Sequence, residues 1–155
     1  MSLEAPQGGA FKPRILVFST HNISDPGIDL AGSRHMHYPA PVSTIAVPCS
    51  SGLKPSWIVH ALQAGIDGVF IASDGDECAY LPDCSERTAR IASQAQDLLR
   101  AQGQEHVIVL VGGIVPDEDI SRLQEAGIGG VFGPGASTEA IATFIRQAVA
   151  EAATA

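Results

Sequence analysis

The chain has 155 residues and a formal net charge of −8, long enough for one packed core and too short for two comfortable domains. Its carboxylates are spread along the sequence and its lysines and arginines never cluster, which excludes a nucleic-acid or anionic-lipid surface. No apolar run approaches the roughly 20 residues of a membrane span, the start lacks the apolar stretch of a signal peptide, and the odd number of cysteines argues against a disulfide framework. A cytoplasmic protein with free thiols is expected.

Residues 1–13, MSLEAPQGGAFKP, are small, polar or proline, and are expected to form a disordered leader. From there to residue 152 a single domain is expected, because β-rich apolar runs alternate with segments of helical period. RILVF, STIAV, GVFIAS, HVIVLVG and GGVFG are the five strand candidates. Between them lie a short segment at 27–33, a helix at 55–64 with Pro55 in its first turn, and a longer one at 85–102. DEDISRLQEAG opens with carboxylates suited to a helix N-terminus and stops at Gly127, and STEAIATFIRQAVAEAA opens on a capping serine or threonine.

Strands each followed by a helix specify an α/β protein with a parallel sheet covered on both faces. The expected architecture is a flavodoxin-like, doubly wound, five-stranded sheet of order 2-1-3-4-5. A (β/α)8 barrel, which the glycine-rich end of the chain also suggests, needs eight strands. In the doubly wound order the loops after strands one and three, FSTHNISDPG and IASDGDECAYLPDC, flank the switch point where ligands bind.

Cys49, Cys78 and Cys84 all fall just after strands two and three, so a parallel sheet would gather them at one edge. Paired C-x-x-C ligands of a structural zinc site are absent. Thiolates from separate loops can hold an iron–sulfur cluster, which ordinarily takes four cysteines, with histidine a known substitute; the three cysteines plus His21 would make four. The alternative is that Cys49 is a small residue at a strand end and Cys84 lies exposed on a loop. His35 and His37 share a face of any extended stretch but lack a third ligand nearby, and Asp74, Asp76 and Glu77 crowd one turn. No Gly-x-Ser-x-Gly elbow or triad is present, so the chain is not expected to be catalytic alone. Gly112, Gly113 and Gly133 end strands four and five, where bare backbone can receive a ligand or simply turn tightly.

Two family resemblances cover different halves. Over roughly residues 15–103 the chain resembles the delta subunit of methyl-viologen-reducing hydrogenase, an electron-transfer subunit found with heterodisulfide reductase. The matching residues are Gly27-Ile28-Asp29-Leu30-Ala31-Gly32, Arg34, Tyr38-Pro39, Cys49-Ser50 with Pro55, GIDGVFIA, and Cys78 followed by Tyr80. The resemblance implies a two-iron two-sulfur cluster held by loop cysteines and a protein partner in a redox complex. Where that family places cysteines after strand one, this chain has Ser19, Thr20 and Ile23, and Asp74 stands at a cysteine position after strand three; Cys84 is additional. Over roughly 106–148, VLVGGIVPDEDISRLQEAGIGGVFGPGAS is similar to the end of the cobalamin-binding domain of methylmalonyl-CoA mutase. That resemblance implies a cofactor slot lined by Gly112, Gly113, Gly133 and Ser73, in a mutase or methyltransferase complex. The family's cobalt-ligating Asp-x-His-x-x-Gly is missing from FSTHNISDPG.

The expected function is an electron-transfer or metal-binding accessory subunit of the delta type, with Cys49, Cys78, Cys84 and His21 or Asp74 as ligands. The alternatives are a cobalamin-binding domain and a cofactor-free interaction module of the same fold.

Overall fold

The computed structural model describes residues 14–22, 24–35, 42–104, 107, 109–113, 117–125, 128–132, 140, 141, 143–145 and 147. The five strands are β1 (Ile15–Thr20), β2 (Val42–Val47), β3 (Gly68–Ser73), β4 (Val109–Gly113) and β5 (Gly130–Phe132). They pair in parallel in the order β2-β1-β3-β4-β5, the doubly wound arrangement that the alternating sequence predicts. The helices are α1 (Ser24–Ser33), α2 (Pro55–Gln63), α3 (Cys84–Ala101) and α4 (Asp117–Glu125). Residues 140, 141, 143–145 and 147 are also helical, within the segment expected to form the last helix. The predicted leader, His37 and Gly133 lie outside the described residues.

Several boundaries differ from expectation: α1 begins at Ser24, three residues before the segment expected at 27–33, and two further differences bear on the site. β1 runs two residues past its apolar stretch, because Ser19 and Thr20, both fully buried, continue the ladder opposite Ala46 and Val47. α3 begins at Cys84 rather than Ser85. Its buried positions Cys84, Thr88, Ile91, Ala92, Ala95, Gln96 and Leu99 recur every three or four residues, so the apolar stripe reaches back to the first helical residue.

Two apolar clusters cover one face of the sheet. Leu16, Phe18, Val69 and Ile71 meet Ile58 of α2 and Ile91 and Ala95 of α3, while Val109 and Val111 meet Ala92, Leu99, Leu123 of α4 and Ile128. Alanines at positions 89, 92 and 95 let α3 lie close to the strands. On the opposite face Phe70 fills the space that a side chain at Gly112 would need: a Cβ there would stand 2.8 Å from the Phe70 ring. β2, at the sheet edge, exposes Ser43 to Ala46, and α1 has no buried residue.

Leu99 is fully buried on α3, joined to β4 and α4 through its cluster. Leu99→Ala is expected to lower unfolding free energy by about 2–5 kcal/mol, read from urea denaturation.

Candidate metal centre

The ends of β1, β2 and β3 lie level, since Thr20 pairs with Val47 and Ser19 with Ala72. The segments that leave β2 and β3 therefore start side by side. Cys49 sits in extended backbone just before a 3₁₀ turn at Ser50–Gly52. Cys78 follows a second such turn, Gly75–Glu77, opened by Gly75 at φ 59°, a conformation that favours glycine. Cys84 is the first residue of α3 and is fully buried, not exposed on a loop. Cys49 Sγ lies 3.4 Å from both Cys78 Sγ and Cys84 Sγ, and the three sulfurs all fall within 4.8 Å of one another. Cys49 and Cys78 are half-buried, so the group is closed below by α3 and reachable from above.

A chain of hydroxyls fixes the three carriers of these thiols. Thr88 Oγ1 donates to the Cys84 carbonyl at 2.8 Å, so with its one proton spent it accepts from Ser50 Oγ at 2.7 Å. Ser50 must then accept from Ser73 Oγ at 2.8 Å, and Ser73 in turn accepts from the Gly75 backbone N–H at 3.1 Å. Every proton in the chain has a single direction. The chain joins the turn after Cys49, the turn before Cys78 and the first turn of α3. Ser50, Ser73 and Thr88 are buried, where an unmade hydrogen bond is costly. Ser51 Oγ adds a contact to Cys49 Sγ at 3.0 Å.

Among the described residues neither His21 nor Asp74 joins the three cysteines. His21 is exposed, its backbone N–H bonded to the Val47 carbonyl. Asp74 is fully buried and accepts a short hydrogen bond from Thr20 Oγ1, which also contacts the Ala72 carbonyl at 3.2 Å. Thr20 and Asp74 stand at two positions where the resemblance would place cysteines, and here they bond to each other. An arrangement of four protein thiolates thus lacks its fourth thiol among the described residues. Ser73 belongs to the hydroxyl chain, Gly112 faces Phe70, and Gly113 pairs with Ser73 across β3 and β4. His35 is exposed at φ 53°, and its neighbour His37 lies outside the described residues.

The thiols differ in acidity. Burial pushes Cys84 up to about 11, with further upward contributions from its two thiol neighbours. Burial also pushes Cys78 upward, but hydrogen bonds from the Tyr80 and Leu81 backbone and from the other two thiols outweigh it and leave Cys78 below the ordinary 9.0. Cys78 is thus the more easily ionised of the two, and Cys84 is held as a neutral thiol. Three converging thiols with this profile can bind a soft cation or close a disulfide.

The family profile of the methyl-viologen-reducing hydrogenase delta subunit matches residues 15–121. The chain is 37% identical over 70 residues to an iron–sulfur subunit of the vhu F420-non-reducing hydrogenase of Methanococcus maripaludis, covering 44% of this chain and 52% of that relative. The protein of the same name in Methanocaldococcus jannaschii is 28% identical over 116 residues, 73% of this chain and 87% of that one. The chain thus spans about half the length of the first of these relatives and most of the second. A second similarity, 51% over 51 residues, is to the pivalyl-CoA mutase small subunit of Xanthobacter autotrophicus, covering 33% of this chain and 34% of that relative. In structure the chain is similar to a response regulator receiver domain protein from Clostridium thermocellum, with a TM-score of 0.56 and 11% identity over 90% of this chain and 95% of that chain; this concerns the fold alone.

Thr88→Val keeps the shape of residue 88 but leaves Ser50 without its acceptor; a loss of about 1–3 kcal/mol in stability is expected, measured as a lower urea midpoint. Iodoacetamide titrated from pH 7 to 10 should label Cys78 at a lower pH than a free thiol, with Cys84 labelled last. Because the folded state holds the Cys84 proton up to about 11 and unfolding returns it to 9.0, its contribution to stability is complete below pH 9. That contribution should decline between pH 9 and 11, visible as a falling melting temperature.

Proposed function

From its membership of the methyl-viologen-reducing hydrogenase delta-subunit family, to which the chain belongs over residues 15–121, we propose that it is an electron-transfer accessory subunit that binds a metal centre at Cys49, Cys78 and Cys84. It passes electrons to or from a protein partner that carries out the catalysis. The observation that carries this reading is the convergence of the three thiols at the ligand-binding edge of the sheet. Half-buried Cys49 and Cys78 give a partner access to the centre, and Tyr80, 60% exposed and two residues beyond Cys78, offers a large aromatic contact of the kind enriched at interfaces. The iron–sulfur proteins among the relatives make iron the first metal to test.

Cobalamin binding is the second reading, favoured by the similarity of the chain to the pivalyl-CoA mutase small subunit. It would place Ser73, Gly112, Gly113 and Gly133 around the cofactor. It requires the Ser73 hydroxyl to serve both the ligand and its neighbours Ser50 and Gly75.

Anaerobic purification and loading with iron, with and without sulfide, tests the first reading. A thiolate-to-iron absorption that bleaches with dithionite, returns on reoxidation and is absent from Cys49→Ser is the expected result. A redox-silent protein that instead retains hydroxocobalamin through desalting would move the function to the second reading.

A further inference from the structure

A two-iron cluster holds two protein thiolates on each iron, so three of them cannot all share one metal atom. Thiolates on one tetrahedral ion are held close together, at about 3.8 Å for metal–sulfur bonds of about 2.3 Å. Here two sulfur pairs are 3.4 Å apart and all three sulfurs fall within 4.8 Å, which brackets the single-ion spacing. Thr20 and Asp74, at the ends of the neighbouring strands, bond to each other and supply no thiol. The third thiol comes from Cys84 at the start of α3.

Resting on the reading of this group as a metal centre, we propose that it binds one thiophilic divalent cation through all three cysteines. Its fourth position is left to an exchangeable ligand from outside the chain. Closed structural sites use four protein ligands, whereas a site with three keeps an open position. Cys84 is buried and Cys49 and Cys78 are half-buried, so the open position lies on the accessible side. Three thiolates exceed the charge of a dication by one, and Asp76 and Glu77, both exposed in the turn before Cys78, add negative charge. The fourth ligand is therefore a neutral donor such as water or an imidazole. Iron and zinc both satisfy this chemistry.

The test uses the full chain, freed of metal and kept reduced, titrated first with Co(II) and then with Zn(II). Saturation at one cobalt per chain is expected, with sulfur-to-cobalt charge-transfer bands and tetrahedral visible bands that shift on adding imidazole. Cys78→Ser, at the rim, and Cys84→Ser, close in size to the native residue, should each weaken cobalt binding tenfold or more in variants whose circular dichroism is unchanged. Thr20→Val should bind cobalt as the native chain does. Parallel loading with iron and sulfide separates the readings. Two irons with two sulfides per chain would overturn the single-ion inference and leave the electron-transfer role standing. One zinc held in preference to iron would support the inference and remove the electron-transfer role. Cobalt bands indifferent to imidazole would overturn the open position, and bands retained in Cys84→Ser would overturn the three-cysteine ligand set.

Discussion

The site depends on one directed run of hydrogen bonds, from the Gly75 N–H through Ser73, Ser50 and Thr88 to the Cys84 carbonyl. Three separate pieces of backbone meet there, and without it each would be positioned only by its own turn. Buried hydroxyls have few alternatives in a dry environment, so a fully satisfied chain favours one arrangement over near neighbours. The sheet makes the run possible. Parallel register ends β1, β2 and β3 at one level, and the apolar clusters under α2 and α3 keep it there.

That sheet also explains how one architecture is shared by proteins of different chemistry. The similarity to a receiver domain at 11% identity meets this chain on its scaffold alone. Function is decided at the strand ends. In this chain β1 ends on serine and threonine, β3 on serine followed by aspartate, and cysteines stand where the flanking segments converge. The delta-subunit family matches the chain over residues 15–121, a range that holds Cys49, Cys78 and Cys84.

Most of the fold is legible in the sequence, because apolar runs such as GVFIAS and the helical period of 85–102 report burial directly. Ser19 and Thr20 do not read as strand, since their burial depends on partners across the sheet that local pattern does not show. The three cysteines are recognisable as candidates from their places after strands two and three. The fourth member is not: His21 and Asp74 are near in sequence order, but one turns to solvent and the other bonds to Thr20. Of the supporting hydroxyls, sequence reasoning reaches Ser73 alone. Thr88 can be found by following the buried stripe of α3 back from Leu99, a path that also leads to Cys84.

Cys84 is the first residue of a helix 18 residues long, whereas Cys49 and Cys78 stand beside three-residue turns. Mechanically the site has one fixed jaw and two short levers. Anything that widens or tightens the group moves the levers first, because displacing the jaw would shift a rod that reaches through both apolar clusters. Entry and departure of a metal at the proposed centre would therefore be governed by the two turns at the rim, with the core beneath them as the anvil against which they close.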